Sequence, residues 1–298
     1  MVSHTMPDLN QDIQRVSGLT ESILSDSSLG GRADDLARLL GSGKQLRARL
    51  MLRVGIALEC PAEKRCRTAA ALELMHAGSL LHDDVVDESH HRRGRETFWR
   101  CEGPAGAVLF GDLLFFLALR TVRAACGPLK ALDLMDRAGE VAEAECEQEL
   151  LLRGSRDNAQ RCLDLARRKT GPLFAFAAAG LCDDHELTGA LREAGYRIGT
   201  AYQLADDLLD AYGDPRTADK SLREDAARGT VSAAAVAWPA GDAPQQIARI
   251  LDEACGIVQH RPAVARACRA FLDEDLRPII DSFAVHGAST QHEPTGTD

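Results

Sequence analysis

A chain of 298 residues allows one large domain or two ordinary ones, and 45% hydrophobic with 27% charged residues is a globular balance with an ample core. The formal net charge of −10 argues against nucleic acid as a partner and leaves no basic patch for a membrane surface. Aromatic residues make up only 4%, and Ala, Leu, Arg and Glu dominate, which favours helix.

Residues 1–10 are polar, carry no apolar run that would read as a signal peptide, and are expected to be loose. Helical patterning is then nearly continuous to about residue 285. Breaks are expected at Gly41-Ser-Gly43, Cys60-Pro61, the 88–104 segment, Gly127-Pro128, Gly154-Ser155, Lys169–Pro172 and Asp183-Asp184. Further breaks fall at Gly213-Asp-Pro215, Pro239–Gly241 and Arg261-Pro262. No alternating strand pattern and no Asn-Gly or Asp-Gly hairpin turn is visible. The longest apolar stretch, Ala105 to Leu119, is short for a membrane span and contains Asp112. It reads as a central helix, apolar and buried all round. The tail from 287 to 298 is expected to be disordered, which leaves one all-α domain over 11–286. Nine cysteines without a CxxC pair read as reduced, small hydrophobes in a cytoplasmic chain.

The chemistry is concentrated in His76-Ala-Gly-Ser-Leu-Leu-His-Asp83-Asp84-Val-Val-Asp87. In a helix Asp83 and Asp87 share one face, with Asp84 a step round. Three carboxylates beside Leu80, Leu81, Val85 and Val86 repel one another and are costly to bury, so a cation belongs among them. Oxygen ligands with open positions suit Mg²⁺ shared with a phosphate. Alone, the same pattern fits an acidic helix end on the surface. A second copy, Tyr202-Gln203-Leu-Ala-Asp206-Asp207-Leu-Leu-Asp210, has the same spacing and the same apolar flanks. Two such clusters can face one another across a cavity and hold several metal ions around one polyphosphate.

An anionic chain that handles an anion also needs local cations. Lys44 and Arg47 stand at a helix start, where backbone N–H groups also favour anions. Arg92 and Arg93 are adjacent guanidiniums on a loop, suited to bidentate phosphate recognition. Lys169-Thr170 offers a cation and a hydroxyl, and Lys220 can fold back over the second cluster. His76, two turns before Asp83, is a candidate phosphate donor, whereas His82 is expected to face away from the metal.

Taken together over roughly residues 35–235, these motifs resemble the trans-polyprenyl diphosphate synthase (polyprenyl synthetase) family. The matching residues are Gly43-Lys44-x-x-Arg47, His76, Asp83-Asp84-x-x-Asp87, Arg92-Arg93-Gly94, Gly111-Asp112, Lys169-Thr170, Gln203, Asp206-Asp207-x-x-Asp210 and Lys220. The resemblance implies packed antiparallel helices around a deep central cavity, the isoprenoid synthase fold, usually as a homodimer. It implies that both Asp clusters bind about three Mg²⁺ ions that grip the diphosphate of an allylic substrate. By the same resemblance, Lys44, Arg47, His76 and Arg93 hold isopentenyl diphosphate, and Arg92, Lys169 and Lys220 hold the allylic diphosphate. Thr170 and Gln203 direct oxygen dipoles at the carbocation.

Three residues depart from the family pattern. Gln45 stands for a frequent Arg, Tyr202 for a usual Phe, and Thr230 for a Lys that would have added a cation. Ser79 and Gly78, four and five residues before Asp83, are small where farnesyl-stopping members often carry an aromatic floor. The implied product is therefore geranylgeranyl diphosphate or longer, with Met75, Phe115 or Phe116 as candidate floors. An irregular-coupling enzyme and a partner-dependent subunit of a heteromeric synthase are the alternatives.

Overall fold

The structure is a computed structural model. It describes residues 8–41, 43–92, 94–152, 159–212 and 242–281, with backbone alone at 41, 159 and 210–212. Two early helices, α1 (Leu9–Ser25) and α2 (Ala33–Gly41), are joined by a 3₁₀ turn at Gly30–Arg32. α3 (Leu46–Ala57) and α4 (Ala62–Val86) follow, and a small hairpin of β1 (His91–Arg92) and β2 (Arg95–Glu96) leads into α5 (Phe98–Cys126). α6 (Pro128–Glu147) runs into a π-helical turn at Gln148–Leu152, and α7 (Ala159–Ala179) and α8 (His185–Tyr212) come next. α9 (Ala243–Ile257) and α10 (Pro262–Ala270) close the described chain, α10 continuing into a π-helical turn at Phe271–Leu276.

The architecture is all-α, as the composition and helical periodicity imply. α4 packs along α5 and α7 along α8, in the two most extensive helix pairs, while α3 lies across α4 and α7. The short links at Gly127 and at Gly180–Asp184 turn the chain back on itself, which makes successive helices antiparallel neighbours. The α7–α8 pair owes its closeness to glycine. A Cβ on Gly195 would lie 2.4 Å from the Phe174 carbonyl oxygen, and one on Gly199 would lie 2.7 Å from the Gly171 Cα. No larger residue fits without parting the two backbones.

Ion pairs tie the outer helices to this centre. Arg65 on α4 donates to Asp12 on α1 at 2.7 Å with both side chains buried. Asp275, in the last π-helical turn, accepts from Arg49 at 2.9 Å and from Arg53 at 2.6 Å, both on α3. Removing one member of such a buried pair leaves an uncompensated charge, so these contacts fix where α1 and the C-terminal turn sit.

Five expectations change. Ordered helix begins at Leu9, capped by Asp8, inside the segment expected to be loose. The 88–104 stretch is not an open break, since it forms a hairpin and α5 starts at Phe98. There the chain kinks at Gly103, with φ of 81°, just before Pro104, whose ring lacks the N–H a straight helix needs. Strand pairing does occur, on four residues too few to show alternation. Lys169–Pro172 is no break either: it lies inside α7, where burial of the run from Thr170 to Cys182 outweighs the local cost of Pro172.

The fifth change concerns α5, which is not buried all round. Leu109 is 68% and Phe116 65% exposed, because α4 and α6 cover only part of its circumference. By length and composition alone this helix could cross a membrane.

Candidate active site

The first Asp cluster lies in the last turns of α4. Helical periodicity puts Asp83 and Asp87 on one face with Ser79 and His76 below them, and Asp84 about 100° round. Asp84 is only 2% exposed, and Arg92 grips it through Nε and Nη2, each at 2.8 Å. The hairpin that carries Arg92 is pinned in turn, since Thr97 Oγ1 and Trp99 Nε1 both donate to the Ser89 carbonyl at 2.7 and 2.8 Å. Asp84 and Arg92 therefore face a cleft of about 830 Å³ between α2, the hairpin and the start of α5.

Asp83 faces the other way, toward α6 and α7. Burial pushes its carboxyl up to about 7, the nearby Glu145 and Asp87 add to the rise, and Lys169 and Arg92 oppose it. Lys169 Nζ donates to Gln148 Oε1 at 2.9 Å and pairs with Glu145 Oε2 at 3.1 Å. The next residue on α7, Thr170, donates its hydroxyl to Gln203 Oε1 at 2.5 Å, and Gln203 Nε2 donates to Asp207 Oδ1 at 2.8 Å. Asp207 is 8% exposed, so the second Asp of each cluster is the buried one, held by a polar neighbour. Asp206 is half-buried one step round on α8.

Arg47, in the first turn of α3, stacks over the Phe174 ring with Cζ 4.9 Å from its centroid. Its Nε is buried without a hydrogen-bond partner. Burial lowers the basicity of this guanidinium, while Glu73, Tyr202 and Asp83 pull it back up. Glu73 also accepts the Ala48 N–H at 2.9 Å, which caps the start of α3 where Gln45 provides no side-chain cap. Gln45 instead donates to Ser17 on α1. Lys44 is exposed just before the helix, and its carbonyl accepts from Arg49 at 3.2 Å.

The structure thus gathers Arg47, Asp83, Asp87, Lys169, Thr170, Gln203 and Asp207 around one space between α3, α4, α6, α7 and α8. His76 is half-buried on the Asp83 face. His82 is turned away onto α5, where its Nε2 donates to the Val108 carbonyl at 3.0 Å. Arg93, Lys220, Thr230 and the Asp210 side chain lie outside the described residues. Sequence reasoning passed over Glu145, Gln148 and Glu73. The signal available was the i, i+3 spacing of Glu145 and Gln148 on the helix before α7, together with the need of Lys169 for an acidic neighbour.

Among the described residues no three His, Cys, Asp or Glu side chains converge tightly enough to form a metal cage. The donor chemistry nonetheless fits a hard divalent cation shared with a phosphate. Oxygen donors of Asp83 and Asp87 share their corner with Glu145, and a buried guanidinium nitrogen of Arg47 lacks a partner.

An all-α fold that carries one Asp cluster near the end of α4 and another near the end of α8, with Lys169 and Thr170 between them, is of the isoprenoid synthase type. The polyprenyl synthetase family model matches residues 35–269, and the chain belongs to that family. It is 32% identical over 230 residues to octaprenyl diphosphate synthase of Escherichia coli (strain K12), a match covering 75% of this chain and 66% of that relative. The chain thus spans just under two thirds of that relative's length. Among solved structures it is similar to geranyltranstransferase from Thermotoga maritima, with a TM-score of 0.73 and 22% identity, covering 92% of this chain and 99% of that one. It is also similar to geranyltransferase from Helicobacter pylori complexed with magnesium and isoprenyl diphosphate. That match has a TM-score of 0.70 and 21% identity, and covers 91% of this chain and 98% of the other.

Proposed function

We propose that this chain is a Mg²⁺-dependent trans-prenyltransferase that condenses isopentenyl diphosphate with an allylic diphosphate into a linear polyprenyl diphosphate. The observation that carries the reading is the dipeptide Lys169-Thr170. Its ammonium lies in the field of Asp83 on α4, and its hydroxyl bonds Gln203, which holds Asp207 on α8. One step of α7 therefore touches the surroundings of both Asp clusters, where an allylic diphosphate would sit.

Of the six Asp residues expected to hold the metal ions, Asp83, Asp87, Asp206 and Asp210 keep that role, while Asp84 and Asp207 are buried against Arg92 and Gln203 and fix those side chains instead. Bound Mg²⁺ supplies charge that stabilises the departing diphosphate. Lys169, Arg92 and Lys220 add fixed positive charge at the same leaving group. Thr170 Oγ1 and Gln203 Oε1 turn oxygen dipoles toward the allylic carbon as positive charge develops there. The apolar lining of buried α7 keeps water from that carbon. Arg47, with Lys44, His76 and Arg93, holds isopentenyl diphosphate, and its unpartnered Nε is a donor waiting for an anion.

The product is geranylgeranyl diphosphate or longer. Support comes from Ser79, the residue one turn below Asp83 on the same face, which is small and turns its hydroxyl back to the His76 carbonyl at 2.9 Å. The enzyme works as a homodimer in the cytoplasm. The uncovered apolar faces of α5 (Leu109, Phe116) and α6 (Leu132, Met135) suit a second copy, and all nine cysteines are free.

The test is a product assay of the purified chain with Mg²⁺, isopentenyl diphosphate and dimethylallyl, geranyl or farnesyl diphosphate in turn, read by chromatography and mass. A linear product beyond farnesyl is expected, and Asp83→Ala and Asp206→Ala should each lower turnover by about a hundredfold or more. No condensation with any primer, or near-normal turnover in either folded variant, overturns the reading.

A further inference from the structure

The end of α6 is built into this site in a way that neither Asp cluster explains. Glu145 and Gln148 lie three residues apart, so both project toward α7, and the helix changes from α to π geometry at Gln148. π-Helical turns inside α-helices gather at functional sites because they re-aim a side chain at a cost in regular bonding. Here the π turn begins at Gln148, whose Oε1 accepts a hydrogen bond from Lys169 Nζ at 2.9 Å, while Glu145 Oε2 stands 3.1 Å from the same nitrogen.

We propose that Glu145 and Gln148 form a latch that holds the Lys169 ammonium beside Asp83 before substrate arrives and releases it onto the allylic diphosphate once metal enters. The proposal rests on the prenyltransferase reading above. The two residues act differently. Gln148 is neutral and orients the ammonium. Glu145 is a charge that competes with the diphosphate for Lys169 and attracts a divalent cation to the corner it shares with Asp83 and Asp87. When the metal neutralises that corner, the hold of Glu145 on Lys169 weakens, and the lysine passes to the incoming phosphate oxygens. Both are positioning residues, since they act through Lys169.

Glu145→Gln and Gln148→Ala should therefore behave in opposite ways. Binding of inorganic diphosphate to the full chain is followed by calorimetry across a Mg²⁺ titration, with circular dichroism confirming the fold. In Glu145→Gln the Mg²⁺ concentration for half-maximal diphosphate binding should rise by about tenfold, the scale of losing one charge-assisted contact. Diphosphate binding without metal should tighten in the same variant, because the competing carboxylate is gone. In Gln148→Ala the Mg²⁺ requirement should stay within about twofold of the parent, while diphosphate affinity at saturating Mg²⁺ falls about threefold through lost pre-organisation.

A Glu145→Gln variant with the parent Mg²⁺ requirement overturns the latch, as do two variants that weaken binding in parallel with a loss of thermal stability. Lys169→Ala is the control for the underlying reading. If it weakens diphosphate binding while Glu145→Gln and Gln148→Ala keep both the Mg²⁺ requirement and the diphosphate affinity of the parent, the latch alone fails. If the parent chain shows no Mg²⁺-dependent diphosphate binding, both fail.

Discussion

Gly78 and Ser79 are neighbours in sequence with different tasks, and substitution separates them. Relative to Asp83, position 79 is displaced about 40° around the α4 axis and position 78 about 140°. Ser79 therefore shares the Asp83 face, roughly 6 Å further down the helix, and Gly78 is turned onto α5. A Cβ at Gly78 would lie 2.6 Å from Phe115 Cε1 and 2.9 Å from the Gly111 carbonyl oxygen. The contact is reciprocal, since a Cβ at Gly111 would lie 3.0 Å from the Gly78 carbonyl oxygen. The phenyl ring can tilt, but the Gly111 carbonyl is backbone and yields only if the helices part. Overpacking of this kind costs about 1–3 kcal/mol. In a chain of this size that lowers Tm by roughly 2–10 °C. Gly78→Ala should therefore unfold at lower temperature by circular dichroism while its product, primed with farnesyl diphosphate, keeps the parent length. Ser79→Phe places its ring on the cavity face, and it should keep the parent Tm within about 2 °C and shorten the product. A Gly78→Ala protein with unchanged Tm would refute the crossing, and an unshortened product from Ser79→Phe would refute the assignment of the cavity face.

Two further outcomes follow from contacts already described. Arg47→Lys keeps the charge but loses the planar stack on Phe174 and the Nε donor, so KM for isopentenyl diphosphate should rise by about tenfold; an unchanged KM in steady-state kinetics removes Arg47 from that site. Phe116→Glu places a charge on the uncovered face of α5, and sedimentation velocity should show a monomer in place of the dimer proposed for the parent; an unchanged mass would place the interface elsewhere.

The spacing of Asp83, Asp84 and Asp87 was enough to indicate that α4 bears a charged cavity face, and the repeat at Asp206 pointed to a second helix opposite it. The direction of Gly78 was equally implicit in helical periodicity, yet the helix it packs against is seen only in three dimensions. Lys169–Pro172 reads as a break because local preference says so, and burial along α7 overrides it. Glu145 is one of several acids near the end of α6, so its spacing to Gln148 was a weak signal; its meaning comes from Lys169 on another helix. Glu73 is similar, a buried acid in an apolar run whose purpose appears only when the N–H of Ala48 arrives from α3.

The two Asp clusters share more than spacing. In each, the residue one step after the first Asp lies about 100° round the helix from it, is buried, and takes a polar partner: Asp84 takes Arg92 and Asp207 takes Gln203. In the proposed reaction those partners are a cation for the leaving group and a carbonyl dipole for the developing cation. On that reading the DDxxD pattern serves two ends on one helix turn: its first and last carboxylates would hold the metal, and the middle one orients a neighbour. Arg92 and Lys169 both rest on protein acids, Asp84 for one and Glu145 for the other. On the proposed reading, binding a metal diphosphate would exchange these two ion pairs for contacts to phosphate, so each of the two cations keeps an anionic partner before and after substrate arrives.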